Sequence, residues 1–261
     1  MKNFKTIVLI LSVVSFLSCK KDKKEPEPEP TPVPMMGPLQ IHFNPMVDAA
    51  PLVLGTKIVN PKGDTMTINV FKYFISNIVL TKEDNSTYVV PESYHMIDNS
   101  ILAQQTISLT NIPTDSYKSV KFMIGVDSAR NKSGAQTGAL DPAGLASGMF
   151  WSWNSGYIMF KIEGTAPKSG DLAKALTYHM GGFYGPNKTQ RDFDLSFGTG
   201  RAMVAHDKNP KITLHANINE FFKNPTLIDV VTQYYCMTGG TTAKLFADNY
   251  ADMISFSSIS N

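Results

Sequence analysis

Residues 117–126 alternate with a period of two: Val120, Phe122, Ile124 and Val126 fall on one face and Lys121 on the other. A half-buried strand reads this way, because successive side chains point to opposite sides of a sheet. The pattern returns at 157–163, where Ile158, Phe160 and Ile162 oppose Met159, Lys161 and Glu163. Residues 65–80 are rich in β-branched and aromatic side chains. Further strands are expected over 39–43, 51–58, 88–90, 94–97, 105–109, 176–180 and 211–218, with a turn at Pro61-Lys62-Gly63-Asp64. Many short strands separated by turn signals predict a mainly β chain, an antiparallel β-sandwich or barrel-like domain. The C-terminal part turns helical: Leu227, Val230, Val231, Tyr234 and Tyr235 follow Asn224-Pro225 at helical spacing. A second run, capped by Thr241 or Thr242, carries Leu245, Phe246, Tyr250 and Ile254.

The N-terminal region carries addresses rather than fold. Lys2 and Lys5 precede an apolar run over 7–17, too short to span a bilayer comfortably, so residues 1–18 read as a secretory signal. The run ends at Phe16-Leu17-Ser18-Cys19, similar to a bacterial lipobox. Cleavage before Cys19 and lipidation of its thiol would anchor the chain to a membrane, as an envelope lipoprotein facing the periplasm or the cell surface. Residues 19–38 then form the anchor and a Pro/Glu-rich tether; its stretch 20–34 would extend about 45 Å at about 3.1 Å per residue. The folded body is expected over 39–261. Losing residues 1–18 removes two lysines and no acid from 24 basic and 22 acidic residues, leaving a balance near zero and no footprint for nucleic acid. With Cys19 spent, Cys236 stands alone and no disulfide supports the fold; it is expected to sit buried in a helix.

Both tryptophans, Trp151 and Trp153, lie two apart within 148–157, bracketed by glycines, which in an extended chain aims both indoles at one face. A long irregular piece with four glycines, residues 127–148, leads into them. Loops of this length are usually functional or disordered. His42, His179 and His215 each lie off the apolar face of a strand, as surface residues or as convergent metal ligands, since imidazole is the commonest metal ligand. Met149, Met159 and Met180 supply soft sulfur nearby, and thioethers with imidazoles suit copper. Asp127 and Asp141 could hold calcium, but their spacing is not an EF-hand and hydrogen bonding is the better reading. Asp192 and Asp194 share a strand face and read as solvated. No nucleophile elbow, phosphate loop, His-Glu-x-x-His or Cys-x-x-Cys is present, so the chain is not expected to be an enzyme.

Several stretches together resemble the MbnP-like copper-binding proteins, a periplasmic or lipid-anchored family named for a methanobactin operon. They are Phe74-Ile75-Ser76-Asn77-Ile78, Ile124-Gly125-Val126-Asp127-Ser128 with Asn131, Gly138-Ala139-Leu140-Asp141-Pro142, residues 148–164, and Tyr178-His179-Met180-Gly181-Gly182. The resemblance runs from about Leu39 to at least Phe222. It implies copper binding for acquisition, storage or delivery, and oxidation of Trp151 or Trp153 to kynurenine by a dihaem peroxidase-like partner. The indole nitrogen is only a donor, whereas ring opening leaves an arylamine and a ketone able to join imidazoles around copper. His179 is the most transferable ligand and His42 the second; His215 rests on its facing alone. The alternative is a metal-free β-sandwich lipoprotein that binds glycan, peptide or a protein partner, with the tryptophans as a stacking surface.

Overall fold

The structure, a computed structural model, describes residues 35–133, 136–153 and 156–261. The expected leader, Cys19 and the tether as far as residue 34 lie outside the described residues. Strand β1 spans Met36–Val47, followed by the short β2 (Ala50–Pro51) and β3 (Lys57–Val59). The single strand expected over 51–58 is interrupted by a turn at 54–56, where Gly55 takes a positive φ of 81°. The β-branched run becomes the 18-residue β4 (Thr65–Lys82). It precedes β5 (Thr87–Val89), β6 (Tyr94–Asp98), β7 (Thr106–Pro113) and β8 (Asp115–Ile124). The next segment holds the one-turn α1 (Ser128–Lys132) and the paired β9 (Phe150–Trp151) and β10 (Gly156–Tyr157). Strands β11 (Phe160–Thr165), β12 (Ala175–Met180), β13 (Arg191–Ser196), β14 (Ala202–Val204) and β15 (Lys211–Asn217) follow. The chain closes with α2 (Ile218–Phe221), β16 (Tyr235–Thr238), α3 (Thr241–Asn249) and β17 (Ile254–Ser260).

Two main sheets form, in the orders β17-β15-β1-β2, with β7 also on β1, and β13-β8-β4-β11-β12-β16, and they curl into a half-barrel. Their inner faces share one core. Phe43 of β1 meets Tyr73 of β4 at 6.1 Å and Phe122 of β8 at 5.7 Å, ring to ring and edge-on. The C-terminal α3 plugs the same core, with Phe246 stacked 5.4 Å from Phe221 of α2. The β-rich class and a C-terminal helix are as the sequence predicts.

Two features differ from that expectation. Strand β1 pairs with β15, and β12 with β16, in parallel, so the sheets are mixed. Alternation of side chains reports burial of one face and says nothing of strand direction. The helix expected after Asn224-Pro225 is absent: Ile228 and Val230 are fully buried while Leu227 and Val231 are exposed. Burial there skips every other residue, the opposite of a helical stripe, and the segment ends in strand β16. Cys236 is therefore on a strand, buried beside Tyr178, and burial pushes its thiol up to about 11. The second expected helix forms as α3 but stops at Asn249, and Ile254 opens β17 instead.

The long β4 organises the second sheet. On one edge it carries β6, against residues 72–76. Its other edge is shared end to end, β11 taking Thr67–Tyr73 and β8 taking Ile75–Lys82. The two meet at Phe74, whose carbonyl accepts from Gly125 N–H (2.9 Å) and whose N–H donates to Met159 O (3.2 Å). Residues 125–159 thus leave and re-enter the sheet at one point. Tyr73 and Ile75 face the main core, so Phe74 faces outward, where it nucleates a second apolar cluster with Val126, Met149, Trp151, Tyr157 and Met159. Phe74 and Tyr157 meet edge to face at 5.4 Å.

Truncating so buried an aromatic removes its transfer energy and leaves a cavity. Phe74→Ala is expected to cost about 3–5 kcal/mol in urea unfolding, with amide exchange rising first in 125–159. A second expectation concerns His95 on β6, whose Nε2 is buried without a partner beside a cavity of about 170 Å³ that Gln104 also lines. Burial pushes this imidazole down to about 4, whereas an unfolded histidine titrates near 6.5. Between those values the unfolded chain holds a proton that the folded chain lacks, so stability falls as pH drops through that window and levels off below it. His95→Gln should flatten the loss between pH 7 and pH 4.5 by about 2–3 kcal/mol, read as the difference between variant and wild-type urea curves.

Candidate functional site

Strand β12 lies between β11 and β16, and its register sets His179 between Lys161 and Met237. Tyr178 and Met180 point into the main core, so His179 points to the outer face with those two neighbours. Its side chain is only 7% exposed. His179 Nε2 lies 2.8 Å from Glu163 Oε1, which also takes Lys161 Nζ at 3.0 Å; that ammonium donates in turn to Gly148 O at 3.2 Å. The other ring nitrogen, Nδ1, is buried without a partner. Burial and then the Lys161 charge hold the imidazole below its ordinary value, against the opposing pull of Glu163. Burial alone would raise the Glu163 carboxyl, but Lys161 and His179 together hold it below the usual carboxylate range. At neutral pH the ring is therefore neutral. Donation from Nε2 to the carboxylate leaves the Nδ1 lone pair inward and free, as in carboxylate-oriented metal histidines.

Trp151 covers the same face. Its ring packs against Gly181, where a Cβ would fall 2.1 Å from an indole carbon, and Gly181 continues the outward phase of His179. Trp151 is 4% exposed and its indole N–H has no partner. Trp153 is 63% exposed, with its ring 5.2 Å from that of Trp151 and tilted by 39°. The two indoles are neighbours, as the two-residue spacing predicts, yet one is inside and the other outside. An open cleft of about 690 Å³ adjoins them, walled by Phe183, Tyr184 and the Thr238-Gly239-Gly240 stretch.

The three singled-out methionines divide between the two apolar clusters. Met180 belongs to the main core, Met149 is fully buried in the second cluster, and Met159 Sδ accepts the Val126 N–H at 3.2 Å. The thioether paired in register with His179 is that of Met237, which packs against the cluster containing Trp151. Reading 225–239 as helix hides it; the alternation Tyr235, Cys236, Met237 is the signal that was there to find.

Nor do the three histidines meet. His42 and His215 project from the outer face of the first sheet, and His179 from the outer face of the second. Face-packed sheets stand about 10 Å apart, so one ion cannot take all three. The acids serve structure: Asp127 caps α1 through the Arg130 N–H and takes Tyr94 Oη at 2.6 Å, Asp141 accepts from the Ala143 N–H, and Asp194 pairs with Lys121 at 2.8 Å. Among the described residues, no three His, Cys, Asp or Glu side chains gather as a metal-binding group. A metal at His179 would need sulfur or a modified side chain to complete its donors.

The MbnP family profile matches residues 36–238, a span that takes in β1, the 125–159 excursion, His179 and Met237. A similar solved structure is MbnP from Methylosinus trichosporium: 12% identical, TM-score 0.53, covering 78% of this chain and 83% of that one. At that identity the likeness is one of fold. No curated protein matches the chain.

The contact of Trp151 with Gly181 is testable. Gly181→Ala should expel the indole from the β12 face, giving a red-shifted tryptophan emission and faster acrylamide quenching in an otherwise folded protein; unchanged emission would place Trp151 elsewhere.

Proposed function

The chain belongs to the MbnP family, and on that premise we propose that it is a cell-envelope copper-binding protein, for acquisition, storage or delivery. Membership suggests a methanobactin-associated, copper-related protein. The observation that carries the reading is the buried, unpartnered Nδ1 of His179, set beside the Met237 thioether and under Trp151. Imidazole with thioether is a donor set suited to copper, the reduced ion above all. His179 and Met237 would hold the metal, Glu163 would fix the imidazole, and copper would supply an ion to be carried rather than a reaction.

Trp151, buried against the face that carries His179, is the tryptophan we propose to be modified. As indole it offers only a donor, without a partner here. Opened to kynurenine, with net loss of one carbon and gain of one oxygen, it would present an arylamine and a ketone toward the His179 face. A dihaem peroxidase-like partner is the proposed oxidant. The leader, lipobox and tether support an anchored location through Cys19. The cleft favours one other reading: Trp153 and Tyr184, 63% and 70% exposed beside it, make a stacking surface for a glycan or peptide.

Copper(I) titration against a chromophoric chelator separates the two. His179→Ala and Met237→Leu are each expected to weaken tight binding by tenfold or more, whereas Trp153→Ala leaves it within about twofold; the opposite pattern would favour the stacking surface. Intact mass of protein from its native host reads the tryptophan oxidation directly.

A further inference from the structure

Oxidation of Trp151 meets a problem of access. The ring is 4% exposed, packed against Gly181, and belongs to the apolar cluster of Phe74, Met149 and Tyr157. An oxidant outside the protein cannot bring its redox centre against a ring so covered. Electron transfer does not need that contact, because it passes between aromatic rings and falls off exponentially with their separation. The effective route outward is the nearest oxidisable ring that reaches solvent.

That ring is Trp153. Its centroid lies 5.2 Å from that of Trp151 with a tilt of 39°, within the range of directly interacting aromatic pairs, and it is 63% exposed. The other rings of the cluster give no such outlet. Phe74 is buried, and Phe150, half-exposed and 5.1 Å from Tyr157, has a phenyl ring far harder to oxidise than an indole. Tyr157 is buried and its Oη donates to Leu140 O. Burial pushes that phenol up to about 12, which opposes the proton loss that phenol oxidation requires. Trp151 and Trp153 are chemically identical, so a hop between them is opposed only by the difference in their surroundings. An apolar site disfavours a cation, so the positive hole rests chiefly on Trp153 and is drawn to Trp151 by irreversible chemistry there.

We infer that Trp153 is the relay through which a one-electron oxidant outside the protein withdraws electrons from Trp151. This rests on the reading that Trp151 is the oxidised tryptophan. In each passage the oxidant, a high-valent haem of the peroxidase class, gains one electron from Trp153, and the Trp153 radical cation regains one from Trp151. Trp153 ends each passage as it began. Four passages, with two oxygens from water and four protons released to solvent, break the C2–C3 bond of the Trp151 indole and form two carbonyls, giving N-formylkynurenine. Its hydrolysis releases formate and leaves kynurenine. Protein made without an oxidant keeps both indoles, so its copper titration does not read this role.

The test applies photogenerated tris(bipyridine)ruthenium(III), a bulky one-electron oxidant, to the full chain, and maps oxygen addition at each tryptophan by peptide mass spectrometry. Wild type is expected to gain oxygen at Trp151. Trp153→Phe should lower that gain tenfold or more, and Trp153→Tyr, whose phenol can carry the hole, should restore most of it. A purely structural Trp153 would not separate Phe from Tyr in this way. Because Trp153 is largely exposed, thermal melts of both variants should match wild type. Oxidation of Trp151 in Trp153→Phe at the wild-type rate overturns the relay, as does a wild type in which Trp151 gains no oxygen. If native-host protein carries two intact tryptophans while Trp151 oxidation by ruthenium still depends on Trp153, the reading of a modified Trp151 falls and the relay stands.

Discussion

Everything distinctive about this protein depends on how one edge of β4 is shared. Two strands lie end to end along it, and the backbone of Phe74 is the junction, accepting from Gly125 and donating to Met159. A continuous edge would have left no room for a segment to leave and return. Because Phe74 faces outward while Tyr73 and Ile75 face the main core, the excursion finds an apolar anchor on a face that sandwiches usually present to solvent. The tryptophans, the glycine-rich approach to them and the covered His179 all follow from that one gap.

The excursion also sets the electrostatics around His179. Lys161 is tied to Gly148 of the excursion and to Glu163 of its own strand, and Glu163 in turn orients the imidazole. A surface histidine would be solvated at both nitrogens. This one is committed at one nitrogen and dry at the other, a difference made by neighbours from three separate parts of the chain.

Much of this was legible in the sequence, for physical reasons that can be named. Alternation at 117–126 and 157–163 marks β8 and β11 because burial of one sheet face imposes period two. The same rule put His42, His179 and His215 off the core side correctly. It could not say which sheet each belonged to, and so could not separate His179 from the other two. Strand direction leaves no mark on periodicity, which is why the parallel pairs were unexpected. The stretch after Asn224-Pro225 misled because the five residues at helical intervals include Leu227 and Val231, which are exposed, while the burial of Ile228 and Val230 follows an alternating spacing. With the helix assumed, Met237 had no reason to be considered beside His179.

The parallel partnership of β1 with β15 has a consequence for the order of events in folding. The first strand of the folded body hydrogen-bonds to residues 211–217, so its sheet cannot close until nearly the whole chain is in hand. Contacts so distant in sequence make folding slow, because loop closure precedes their reward. The same holds for Met237, which reaches His179 only when β16 docks. The outer face of β12 around His179 is therefore among the last surfaces of the chain to be completed.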